Sequence, residues 1–130
     1  MSSTPTIEQF RIIDTLTAVF GSRGAVYALL YLQAYGSGYA TAIARTFDMP
    51  IAGAQQQLLK LEREYILVSK TIGRTRIFEF NPRNTTAKNL QQFLTAELEN
   101  MPRELYRQYF CQRQRPRRSE KPLNSTSEKS

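Results

Sequence analysis

The apolar spacing of this chain changes period at Tyr65, and that switch constrains the fold more than any other feature. Upstream, IAGAQQQLLKLERE (51–64) sets Ala54, Leu58 and Leu61 on one face at helical intervals. Downstream, ILVSKTI (66–72) and TRIFEF (75–80) are rich in β-branched and aromatic residues. Gly73-Arg74 supplies the turn between these two strands, and Asn81-Pro82 closes the hairpin. Pro50 suits the first turn of the upstream helix, with Asp48 as its expected cap. Before it, YATAIARTF (39–47) reads as a short helix with Ile43, Ala44 and Phe47 facing inward. The order is short helix, Pro-marked turn, helix, hairpin.

The flanking segments are helical. IEQFRIIDTLTAVF (7–20) spaces Ile7, Phe10, Ile13, Leu16 and Phe20 along an amphipathic stripe. Gly21 ends that helix, and Ser22 caps the more apolar one that follows over 23–35. Gly36-Ser37-Gly38 breaks the chain again. From Thr85 to about Phe110 the residues Leu90, Leu94, Leu98, Met101 and Leu105 continue a helical pattern. Pro102 must kink or split it, and Asn100 can cap a second segment. The expected fold class is mainly α with a small β-hairpin. Two helices joined by a tight turn fit a helix-turn-helix, and the hairpin would be its wing. The core would be three helices, with the wing and a long C-terminal helix added.

At 130 residues, the length suits one domain over 1–110 and a tail over 111–130. The tail is polar, basic and aperiodic, so disorder is expected there. Net charge is +7, but it is unevenly placed. Residues 103–130 hold eight Lys/Arg against three Asp/Glu, whereas residues 1–102 hold ten against eight. A basic chain of this size points to a polyanionic partner. The near-balanced domain means that a binding face there must come from local placement.

Cys111 is the one cysteine, and histidine is absent. An internal disulfide is impossible, and the commonest general base and metal ligand is missing. A zinc site of the usual Cys/His kind lacks its ligands. Enzymatic activity, a metal and a cofactor are therefore not expected. No apolar run reaches the roughly 20 residues of a membrane helix, and Met1–Thr6 lacks a secretion-signal pattern. The expected location is cytoplasmic, with no membrane partner.

The stretch MPIAGAQQQLLKLEREYILVSKTIGRTRIFEFNP (49–82) resembles winged-helix repressors of the ArsR type. The carriers are LLKLEREYILV and, a few residues on, GRTRIFEFNP. The resemblance is good from Ile43 to Pro82, and winged helices of the MarR and related groups share much of it. It implies a homodimeric transcriptional regulator on double-stranded DNA, more often a repressor. The chain departs from that pattern at several positions. Tyr65 stands where a Gly is common, and Ile51, Ala52 and Gly53 stand where Ser/Thr often open the helix. Gln57 stands where a His is frequent. The Cys, His and Asp ligands of metal-sensing members are missing, so metal sensing is not implied.

Within this reading, Gln55, Gln56 and Gln57 are the expected base contacts, because Gln pairs bidentately with adenine. Only two of the three can face one groove, and the alternative is a solvated helix face. Ala52 and Gly53 would allow close approach, with Ala52 able to touch a thymine methyl. Gly53 is equally consistent with simple tolerance near a helix start. Lys70, Arg74 and Arg76 form a basic hairpin whose tip residue Arg74 would enter a minor groove or meet phosphate. The alternative is a charged hairpin that resists edge-to-edge pairing. Lys60 and Arg45 are further candidate phosphate contacts. Tyr27, Tyr31 and Tyr35 recur every fourth residue, followed by Tyr39; they read as packing or as an effector pocket. Phe10, Ile13, Leu90, Leu94 and Leu98 are the expected dimer interface. The basic run RQRPRR (113–118) would add nonspecific phosphate contacts or act as a solubilising tail. Cys111 reads as an unremarkable thiol. The rival functions are a winged helix for protein–protein contact and a sequence-tolerant nucleic-acid binder.

Overall fold

A computed structural model of the chain describes residues 11–112. Helix α1 spans Ile12–Phe20, α2 Arg23–Tyr35, α3 Ala40–Phe47 and α4 Ile51–Arg63. Strands β1 (Leu67–Ile72) and β2 (Thr75–Phe80) follow, then α5 (Thr85–Glu99) and α6 (Arg103–Phe110). The described chain is thus mainly helical with one two-stranded antiparallel sheet. Ile7 and Phe10, and the tail from 113 onward, lie outside the described residues.

The breaks follow local chemistry. Gly21 takes φ +89°, a left-handed geometry that ends α1, and Ser22 accepts a hydrogen bond from the Ala25 amide to start α2. The two helices meet at a bend of 109°. Among the described residues, no single helix is long and apolar enough to cross a membrane. Two expected caps act differently. Asp48 ends α3 in a left-handed conformation (φ +55°), and Pro50 occupies the N-cap of α4 without a side-chain bond. The Asn100 side chain donates to the Ala96 carbonyl, so it closes α5. Pro102 then opens α6, and the C-terminal helical pattern is split in two.

Helix α2 forms the centre. Val26, Ala28, Leu29, Leu30 and Leu32 are buried on nearly all its faces. Leu16 of α1, Ile43 and Phe47 of α3, Ala54 and Leu58 of α4, and Leu94 of α5 close around it. Burying a side chain such as Leu58 contributes about 2 kcal/mol relative to exposure. The tyrosine stripe belongs to this packing. Tyr27 stacks on Phe47 at 4.2 Å, and Tyr31 lies 4.5 Å from Tyr35. The Tyr35 hydroxyl donates to the Tyr109 carbonyl at 2.7 Å.

The hairpin pairs Leu67 with Phe80, Ser69 with Phe78 and Thr71 with Arg76 on one face. Val68–Glu79, Lys70–Ile77 and Ile72–Thr75 form the other. Leu67, Phe78 and Phe80 are buried, which seats the first face on the helices. Gly38, between α2 and α3, exchanges two backbone hydrogen bonds with Phe78, at 3.0 and 2.8 Å. This lone bridge ties the hairpin to the helical layer from its β2 side.

Candidate nucleic-acid interface

Helix α4 has a buried side and an open side. Ala54 and Leu58 point into the core. At 100° per residue, Ala52, Gln56, Lys60 and Arg63 fall opposite them, and all four are exposed. Gln55 lies at the flank, half-buried. The open side therefore runs from small and apolar, through amide, to two cations. Arg63 was not singled out by sequence reasoning. Its signal was its position eleven residues after Ala52 and seven after Gln56, which keeps it on their stripe.

Gln57 does not share that side. Its Oε1 is buried without a hydrogen-bond partner among the described residues, and its Cγ lies against Gly24 of α2. Only Gln55 and Gln56 of the triplet remain as base-contact candidates. Gly53 is half-buried, and a Cβ there would meet only the Met49 methyl, at 3.5 Å. Close packing within the chain thus does not demand this glycine.

The hairpin separates its three cations. Arg74 is exposed at the tip beside Gly73, whose φ of +63° makes the turn. Lys70 is exposed on the outer face. Arg76 lies on the seated face and is engaged internally. Its guanidinium pairs with the Glu62 carboxylate of α4, its Nε donates to the Ser69 hydroxyl at 3.0 Å, and its Cζ sits 5.3 Å from the Phe78 ring centroid. Ser69 also donates to Glu62. Arg76 thus braces the hairpin against the helix while its side chain stays 45% exposed. The same pairing neutralises the carboxylate that α4 would otherwise carry beside its open side. Arg45 on α3 is exposed; Thr41, one turn earlier, is exposed as well.

The expected dimer residues also divide. Ile13 and Leu94 are 7% and 1% exposed and belong to the chain's own core, so neither has surface left for a second copy. Leu90 and Leu98 are half-buried, and Phe10 lies outside the described residues. The apolar surface on α1 and α5 is instead supplied by Val19, 66% exposed, and Phe93, 40% exposed. Phe93 meets Phe20 edge-on at 6.1 Å. Each sits one residue before a position on the apolar stripe, Val19 before the half-buried Phe20 and Phe93 before the core residue Leu94, so a stripe-based reading passes over both.

The tyrosine rings pack on one another and on Phe47, with Tyr27 stacked on Phe47 and Tyr31 against Tyr35. A separate open cleft of about 450 Å³ lies where α2, α5 and α6 meet, lined in part by Gln33, Thr95, Met101 and Arg103. Among the described residues, no cluster of three or more His, Cys, Asp or Glu can hold a metal ion. Compared with known proteins, the chain matches no family model, no curated protein and no solved structure.

Proposed function

We propose that this chain is a winged helix-turn-helix regulator of transcription, a repressor that binds duplex DNA as a homodimer. Helices α3 and α4 are the helix-turn-helix, α4 enters the major groove, and the hairpin is the wing. The observation that carries this reading is the open side of α4 beside the exposed Arg74 tip, with the hairpin fixed to α4 through Glu62, Ser69 and Arg76. A groove about 12 Å wide admits one helix, and α4 offers one uncommitted side of suitable chemistry. Amides would read base edges, Lys60 and Arg63 would hold phosphates, and Arg74 would enter the flanking minor groove. The exposed apolar pair Val19 and Phe93 supports a two-fold contact, which would set half-sites about one helical turn apart. Catalysis has no part in this reading.

A salt titration on selected and random duplexes tests it. Specific binding should weaken steeply with salt, and Arg74→Ala should lower the log–log slope by about one unit. Replacing Gln55 and Gln56 with Ala should relax base preference. Absence of DNA binding at low salt would remove the regulator reading. The exposed Ile51, Ile72 and Tyr65 would then favour the second reading, a winged helix for protein contact. Equal affinity for every sequence would favour a nonspecific binder.

A further inference from the structure

The first nine residues of α4, Ile51 to Leu59, carry no charge, and the first cation in the helix is Lys60. Their chemistry restricts which base pairs such a helix can read. Guanine is recognised by Arg or Lys on O6 and N7, and cytosine by Asp or Glu on its N4 amine. Neither residue type occurs in this segment. Gln, in contrast, fits the N6/N7 edge of adenine, and small or branched apolar side chains fit the thymine methyl.

Exposure selects among these residues. Ile51 is 53% exposed at the first position of the helix, and Ala52 is exposed beside it. Among the described residues, packing leaves about half of Ile51 uncovered. Gln56 is exposed and Gln55 half-buried, whereas Gln57 is turned inward. The tip residue Arg74 is exposed and forms no ion pair among the described residues. A lone Arg of this kind is drawn to the narrow, strongly negative minor groove of A-tracts.

We propose that α4 reads A·T base pairs, with Ile51 and Ala52 against thymine methyls, Gln55 and Gln56 on adenine edges, and Arg74 in a flanking A·T-rich minor groove. This rests on the DNA-binding reading above and names the class of operator that it needs.

The test is selection of duplexes from a random pool by the full chain at low salt, followed by base-analogue substitution in the best duplex. The expected result is a half-site of A·T pairs. Uracil in place of thymine should weaken binding about three- to fourfold for each methyl contacted. Ile51→Ala should weaken binding to the thymine duplex and make it less sensitive to uracil. The residue is exposed, so this variant should keep its fold. 7-Deazaadenine, which lacks the N7 acceptor, should weaken binding of the wild-type chain but have little effect on a variant with Gln55 and Gln56 changed to Ala. Selection of G·C pairs at the contacted positions would overturn the proposal while leaving DNA binding intact. Equal binding of uracil and thymine duplexes would overturn the methyl contacts. Recovery of no duplex at all would overturn both this inference and the DNA-binding reading beneath it.

Discussion

Gly38→Ala should destabilise the fold by loosening the hairpin from the helices. A Cβ at this position would stand 2.6 Å from Cε1 and 2.9 Å from Cδ1 of Tyr31. Comfortable carbon–carbon contact is about 3.5–4.0 Å, so roughly 1 Å of room is missing. The Tyr31 ring has little freedom to retreat. It is 4% exposed, 4.5 Å from the Tyr35 ring and 6.4 Å from that of Phe47. The Gly38 backbone must move instead, which strains its two hydrogen bonds to Phe78. Overpacking of this kind costs about 1–3 kcal/mol, and weakening the bridge adds about 1 kcal/mol. The expected loss is therefore about 2–4 kcal/mol. At a urea slope of about 2 kcal/mol per M, the unfolding midpoint should fall by about 1–2 M. Hydrogen exchange at the Phe78 amide should accelerate more than at core amides of α2. A midpoint within about 0.2 M of wild type, with unchanged Phe78 exchange, would refute the reasoning.

Three further outcomes can be checked. Gln57→Met should stabilise the chain by about 1 kcal/mol in urea unfolding, because it removes a buried oxygen without a partner; a loss of base preference in this variant would mean that Gln57 faces DNA after all. Phe93→Asp combined with Val19→Asp should yield a folded monomer by light scattering, since both residues are substantially exposed in the single chain; an unchanged dimer mass would place the interface elsewhere. Burial raises the Tyr35 hydroxyl above its ordinary pKa, against a smaller lowering by the Gln112 amide. In the unfolded chain the hydroxyl ionises near pH 10, while in the folded chain it keeps its proton to higher pH. Stability should thus be unaffected by this group below about pH 10 and fall as pH rises towards the folded value. Tyr35→Phe should cost about 1 kcal/mol near neutral pH, through its lost hydrogen bonds, and show a shallower alkaline decline; an identical alkaline limb would assign that decline to other groups.

Secondary structure was legible wherever one local rule dominated. The β2 boundaries follow from its aromatic and β-branched residues, and the Ser22 cap from its side-chain chemistry. Caps chosen by proximity alone went to the wrong helix end. Asp48 and Asn100 each stand between two helices, and sequence does not say which end a short polar side chain will serve. The site was legible as a set of residue types but not as a set of directions. Three consecutive glutamines look alike until the position of α2 decides that Gln57 packs beside Gly24. Arg76 looks like Lys70 until strand register puts the two on opposite faces and Glu62 captures one of them. Ile13 and Leu94 were read as interface for the same reason, and both are buried in the chain's own core. A leucine repeat marks a buried stripe without saying whether the burying partner is the same chain.

The Tyr65 residue that interrupts the apolar spacing has a mechanical consequence. It sits at φ +65°, and its carbonyl accepts the side-chain amides of Asn81 at 2.9 Å and Asn84 at 3.0 Å. Asn84 also caps α5 through the Ala87 amide. The exit of α4 and the entry of α5 are therefore fastened to one oxygen atom. If α5 pairs two copies in the proposed dimer, this clasp would act as a rigid linkage, so that a small tilt of α5 would swing α4 with it. The separation of the two α4 helices in such a dimer would then follow the tilt of α5, transmitted through the clasp.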